Sequence, residues 1–84
     1  MSEEYTEFKL RKPLKVDGTD VSMLKMREPV VDDAIVAHMG KEEDAIKELN
    51  LIANLCEISP EDLRKLNLKD YRKLQKHLMD LDFL

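Results

Sequence analysis

The sequence predicts an α+β domain in which an N-terminal β-hairpin packs on a small bundle of three to four helices. Apolar residues alternate at every second position in the first third of the chain, on both sides of Asp17-Gly18, and then recur at every third or fourth position. The chain has 84 residues, enough for one domain with a single core. We therefore expect a disordered N-terminus at residues 1–6 and one domain over residues 7–84.

The hairpin is predicted over residues 8–28. Its first strand alternates apolar and polar positions, with four apolar residues of one parity, Phe8, Leu10, Leu14 and Val16. Pro13 has no N–H and therefore favours an edge strand. Asp17-Gly18 tolerates the positive φ angles of a type I′ turn. In the second strand the parity of the apolar positions changes between Met23 and Leu24, which indicates either a bulge there or a twisted ribbon with both faces partly covered.

Helical spacing predicts four helices, at about 31–39, 42–58, 60–66 and 68–81. In the first, the residues that recur at helical spacing are Val31, Ala34, Ile35, His38 and Met39, and Gly40 is expected to end the helix in the left-handed conformation. The helix at 42–58 is apolar over much of its circumference, so it should lie at the centre of the core.

The last two helices begin with recognisable caps. Ser59 precedes Pro60 and has an acid three residues later, and Asn67 has Asp70 at the same spacing. The final helix carries one apolar stripe, formed by Tyr71, Leu74, Leu78 and Leu81.

The composition favours a binding module over an enzyme. The chain has one cysteine, two histidines and two glycines, and no glycine-rich phosphate loop. His38, Cys56 and His77 lack the close spacing of a structural zinc site. The sequence thus predicts no catalysis, no metal and no cofactor. The single cysteine excludes an internal disulfide and indicates a reducing compartment, and neither a membrane span nor a secretory signal is recognisable.

Charge is unevenly distributed along the chain. The net charge of −4 divides into 0 for residues 1–29, −5 for 30–58 and +1 for 59–84. The basic side chains of the hairpin could contact phosphate, as the wing of a small DNA-associated regulator, or could protect an edge strand from pairing. They could also dock on the acidic middle of a second copy, which predicts weak self-association. Nucleic acid is disfavoured because the basic face of the hairpin carries no aromatic residue on which a base could stack.

Two groups of side chains are candidate partner contacts. The first is the C-terminal apolar cluster, which either closes the core or anchors an amphipathic partner and comprises Leu78, Leu81, Phe83 and Leu84. The second is the basic pair Lys9 and Arg11 on the hairpin. Four adaptable methionines suit either a permissive surface or ordinary core filling: Met23, Met26, Met39 and Met79.

The order of these segments resembles the small tail assembly chaperones of Mu-like and related contractile-tailed phages and prophages. The resemblance covers about residues 5–84 and is carried by the segments 8–14, 17–18, 26–33, 44–49, 55–66 and 68–75. One departure is Val30, which stands where a hydroxyl cap is expected before the first helix.

The resemblance implies a non-enzymatic role in the host cytoplasm. Proteins of this kind hold the long, aggregation-prone tape-measure protein until tail tube subunits replace them, and they are absent from the finished virion. In related systems a longer form, made by translational frameshifting, recruits tube protein, and this sequence would be the short form. The family offers no catalytic residues to transfer.

Overall fold

The fold is an antiparallel hairpin followed by four helices. The computed structural model describes residues 4–81 and contains these elements: β1 (Tyr5–Val16), β2 (Thr19–Arg27), α1 (Val31–Met39), α2 (Asp44–Cys56), α3 (Pro60–Leu63) and α4 (Leu68–Asp80). The predicted α+β class, with its hairpin and helices in this order, is confirmed.

The two strands are joined by the predicted two-residue turn. Val16 pairs with Thr19, and Asp17 and Gly18 have φ angles of 51° and 79°, the positive values that a type I′ turn requires. Pairing extends to Tyr5 and Arg27. The strand therefore includes Tyr5 and Thr6, which the sequence had suggested lie in the disordered N-terminus.

The irregularity of the hairpin lies in β1, so of the two alternatives for the second strand the bulge at Met23-Leu24 is wrong. Lys9 pairs with Met23 and Leu14 with Val21, so residues 10–13 of β1 stand opposite Ser22 alone. Pro13 cannot donate to the ladder, and the amides before it are bonded to a helix instead of to β2. We call residues 10–13 the β1 bulge.

The core forms between the hairpin and the helices, with α2 at its centre as predicted. Ile52 and Leu55 of α2 are fully buried, and so are Leu74 and Leu78 of α4. The hairpin contributes four buried side chains to the same cluster, Leu10, Leu14, Leu24 and Met26. Burying a side chain of this size contributes about 1.5–3 kcal/mol, so this cluster supplies most of the stabilisation.

Three helix ends differ from the sequence prediction. Gly40, with φ −66° and ψ 155°, is extended and not left-handed. The left-handed residue is Glu57 (φ 60°), which ends α2 at Cys56 and lets the Ile58 amide donate to the Ala53 carbonyl. The third helix is only one turn long and ends at Leu63 instead of residue 66.

The predicted caps of the last two helices are confirmed. The Ser59 hydroxyl accepts from the Asp62 amide at 3.2 Å, and the Asn67 side chain accepts from the Lys69 amide at 3.1 Å. Within residues 4–81, the longest helices have 13 residues, and none is long and apolar enough to cross a membrane.

Candidate partner-binding surface

Helix α1 turns its apolar side outward. Val31, Ile35 and Met39, which share a face at four-residue spacing, are 77%, 53% and 74% exposed, and Val36 beside them is 57% exposed. We call these four side chains the α1 apolar face. The opposite side of the helix carries Asp33, which is buried, and two half-buried alanines, Ala34 and Ala37. An amphipathic helix normally shows the reverse arrangement.

A buried carboxylate fixes this orientation. The Arg27 guanidinium at the end of β2 donates to both oxygens of Asp33, with both N–O distances 2.8 Å. The Val30 amide donates to Asp33 Oδ2 at 2.8 Å, and the Asn54 side-chain amide of α2 donates to Oδ1 at 3.4 Å. Asp33 thereby links β2, α2 and the start of α1, so we refer to it as the α1 anchor.

The electrostatics of the anchor favour the ionised carboxylate. The hydrogen bonds from Arg27 outweigh the effect of burial and, with the Val30 amide, hold the pKa of Asp33 below its ordinary value. The bond from the Val30 amide also explains how α1 begins without a hydroxyl cap. The Asp33 carboxylate, at the third position of the helix, accepts from the amide of Val30, the residue just before the helix. Rotating α1 to bury its apolar face would therefore break a bidentate ion pair.

Acidic side chains border the α1 apolar face. Asp32 lies within the face, Glu28 precedes the helix, and three more acids follow Gly40, namely Glu42, Glu43 and Asp44. All five are exposed, and within residues 4–81 none of them has an ion-pair partner within 4 Å. The exposed apolar side chains of α1 are thus accompanied by an excess of exposed acids, one of them, Asp32, within the face itself and the others before and after the helix in the chain.

A groove of about 350 Å³ runs between α1 and α2 beside this face. Val36 and Ala37 form its α1 wall, and Leu51 forms part of its floor. Polar side chains of α2 complete the rim, including Lys47, Asn50 and Asn54.

The C-terminal residues predicted as partner contacts do not form one exposed cluster in the described chain. Leu78 is fully buried and packs in the core, so it closes the core and offers no exposed surface. Leu81 is 40% exposed at the end of α4. Phe83 and Leu84 lie outside the described residues.

The basic pair predicted on the hairpin is exposed, but its backbone is engaged by α4. The Lys9 carbonyl accepts from Lys73 Nζ at 3.1 Å, and the Arg11 amide donates to Asp70. Elsewhere on the hairpin, acids offset two lysines: Lys15 pairs with Asp20, and Lys25 with Glu7. These pairs reduce the positive potential that contact with phosphate would need.

Asp70 anchors the β1 bulge as Asp33 anchors α1. Its two oxygens both accept from the Arg11 amide at 3.0 Å, and Oδ2 accepts from the Lys12 amide at 3.4 Å. Burial raises the pKa of Asp70, but these amides and Lys73 outweigh it and leave the pKa below its ordinary value. The sequence had identified Asp70 only as part of a helix cap.

The described residues bring together little else with obvious chemistry. Across residues 4–81, no three His, Cys, Asp or Glu side chains are placed to share a metal ion. Cys56 is buried, and desolvation raises its pKa to about 12, which leaves it a poor nucleophile.

Sequence reasoning placed Val31, Ile35 and Met39 on one helical stripe, but it missed Val36 and did not recognise that the stripe faces solvent. The position of Asp33 gave no signal of this, because a carboxylate opposite an apolar stripe is the ordinary arrangement of an amphipathic helix.

The fold and this surface define a small α+β protein-binding module with an exposed apolar helix. A family model described as "Phage tail assembly chaperone proteins, E, or 41 or 14" matches residues 7–82, and the chain belongs to that family. The resemblance expected from the sequence is thereby confirmed. No curated protein and no solved structure is similar enough to this chain to count as a match.

Proposed function

We propose that this protein binds the tape-measure protein in the host cytoplasm and keeps it competent for assembly until tail tube subunits replace it. It does not remain in the finished virion. Membership of the tail assembly chaperone family supports a role in tail assembly, and the proposal adds the partner.

The observation that carries the proposal is the α1 apolar face. Val31, Ile35, Val36 and Met39 are each more than half exposed on a helix of nine residues. A protein that holds a long helical partner needs apolar surface that is available before the partner arrives. The core does not need this surface, because its fully buried side chains come from the other helices and the hairpin.

Weak contacts suffice for this function. Four side chains on one short helix form a surface well below the size of a stable binary interface. Many copies along one long tape-measure protein would act together, and each copy could still leave when a tube subunit arrives. Met39, which is unbranched and exposed, can adapt to different partner side chains.

Co-expression with the tape-measure protein tests the proposal. We expect this chain to raise the soluble fraction of the tape-measure protein and to co-purify with it. The Ile35→Ser variant should lose that effect, whereas Leu68→Ser, at a similarly exposed position on α4, should keep it. Unchanged solubility of the tape-measure protein in the presence of the wild-type chain would refute the proposal.

Two further contacts belong to the same proposal. Lys9 and Arg11 on the hairpin, and Leu81 with Phe83 and Leu84 near the C-terminus, would add contacts to the tape-measure protein. A longer, frameshifted form would contact tail tube protein. Deleting residues 82–84 and substituting Lys9 and Arg11 by Ser test these contacts in the same co-purification, and an undiminished yield in both variants would exclude them. A salt-dependent shift with duplex DNA would instead favour a DNA-associated regulator.

A further inference from the structure

We infer that the α1 apolar face receives an amphipathic helix whose apolar stripe is bordered by lysine and arginine. The inference deepens the proposed function and rests on it only in taking the tape-measure protein as the source of that helix. The chemistry of the partner is read from the surface itself.

The shape of the surface fits a helix. Val31, Ile35 and Met39 form a straight row of about 12 Å at 1.5 Å per residue, which matches about two turns of a partner helix. Val36 lies beside this row and leads into the groove between α1 and α2. A partner helix can therefore lay one apolar stripe along α1 and place its flank over the polar rim formed by Asn50 and Asn54.

The charge of the surface specifies the flanks of the partner. Between residues 28 and 47, the exposed acids are Glu28, Asp32, Glu42, Glu43 and Asp44. Two lysines oppose them, the exposed Lys41 and the half-buried Lys47 on the rim of the groove, so the acids remain in excess. Asp33 is already neutralised by Arg27. A partner with lysine and arginine beside its apolar stripe is attracted to this border, and a partner with acidic flanks is repelled.

The same charges argue against a second copy of this chain bound through the same face. In a two-fold dimer built on α1, Asp32 and the acids after Gly40 would face their own counterparts. Like charges brought together in this way oppose association. The surface therefore fits a different polypeptide with the opposite charge.

The surface is also preformed. Arg27 and Asn54 hold Asp33 from two sides, so α1 keeps its apolar face outward without a partner. A preformed surface avoids the ordering cost that a disordered segment meets on binding.

Two synthetic helical peptides of about 18 residues provide the test. They share one apolar stripe, with leucines at positions i, i+3, i+4 and i+7, and differ only in carrying lysine or glutamate at the flanking positions. Binding of each labelled peptide to the wild-type chain is measured by fluorescence anisotropy. We expect the lysine peptide to bind at least tenfold more tightly than the glutamate peptide, and to weaken severalfold between 0.05 and 0.5 M salt, in the manner of screened charges. Equal binding of the two peptides would overturn the inference.

Variants locate the site. Ile35→Ser should weaken the lysine peptide about tenfold, because it removes a large apolar contact, and Leu68→Ser on α4 should not change it. The combined change Asp32→Asn, Glu42→Gln and Glu43→Gln should weaken binding and reduce its salt dependence. Circular dichroism checks that each variant is folded. Unchanged binding by folded Ile35→Ser, or a dimer of the wild-type chain that Ile35→Ser abolishes, would overturn the inference.

The two proposals fail in different ways. If the lysine peptide binds α1 but the tape-measure protein neither co-purifies nor gains solubility, the proposed function is wrong and the surface assignment stands. If the tape-measure protein is held equally well by wild type and Ile35→Ser, the function stands and the surface assignment is wrong.

Discussion

Replacing Asp70 by asparagine should loosen the hairpin without disturbing α1. The Asp70 carboxylate lies fully buried between α4 and the β1 bulge, where it accepts the Arg11 and Lys12 amides. Asparagine has nearly the same shape but offers one acceptor oxygen and turns an NH₂ group towards donors. In Asp70→Asn the NH₂ group therefore faces the Arg11 amide at one of the two oxygen positions, the bonds that remain are no longer charge-assisted, and the ion pair with Lys73 is lost.

The size of the effect follows from the bonds that are lost. A hydrogen bond to a charged group contributes about 1.5–3 kcal/mol, and a buried amide left without a partner costs about 1–3 kcal/mol. With part of the bonding retained by the asparagine oxygen, we expect a loss of about 2–3 kcal/mol in the free energy of unfolding. For a domain of this size that lowers Tm by roughly 10–20 °C.

Urea denaturation and amide hydrogen exchange measure the two parts of this prediction. Asp80→Asn is the matched control, because Asp80 lies on the same helix and makes only an exposed pair with Lys76, whose loss should change stability by less than about 0.5 kcal/mol. In Asp70→Asn the Arg11 and Lys12 amides should exchange faster. The amides of α1 should lose only the protection that the overall loss of stability accounts for. A loss of stability no larger than that of Asp80→Asn would refute the role given to Asp70.

Four further outcomes are expected. Asp33→Asn should lower stability by about 2 kcal/mol and raise exchange within α1 while sparing the β1 bulge, the reverse of the Asp70 pattern; equal effects on both elements would contradict separate anchors. Glu57→Gly should raise stability by up to about 1 kcal/mol, because Glu57 is left-handed, and an unchanged urea midpoint would contradict this. The pKa values of Asp33 and Asp70 are lowered in the fold, so their stabilisation is present above the unfolded pKa near 4 and is lost as pH falls through the folded values. The free energy of unfolding should therefore decrease as the pH is lowered below about 4. The decrease should be less steep in the double variant that carries both Asp33→Asn and Asp70→Asn. Cys56, buried and with its pKa raised to about 12, should react with iodoacetamide at pH 8 only on unfolding, and rapid native labelling would count against its burial.

Local signals in the sequence were sufficient for most of the elements. Asp17-Gly18 specifies its turn through backbone conformation alone, and Ser59 and Asn67 cap helices through bonds that span two or three residues. The stripe of α4 follows from the helical spacing of apolar residues within its own segment. Each of these features depends on interactions between near neighbours, so a single sequence contains the necessary information.

The features that could not be predicted depend on contacts between distant residues. The position of the β1 bulge follows from the bond between Arg11 and Asp70, which are 59 residues apart. Gly40 is extended because the chain passes directly towards α2, and the periodicity of α1 says nothing about that path. Periodicity also reports that Val31, Ile35 and Met39 share a face, but exposed and buried stripes have the same period.

The buried carboxylate of Asp33 shows how so small a domain can keep an apolar helix in water. Had α1 packed through Val31, Ile35 and Met39, its apolar face would have joined the core and been lost to a partner. Asp33 opposes that packing because turning it outward would break its bidentate ion pair with Arg27, which is four-fifths buried. Ala37, on the same side of the helix, packs against the core with little bulk. The exposure of the α1 apolar face is therefore enforced by a specific polar contact, and an exposed face maintained in this way is best explained by a partner that uses it.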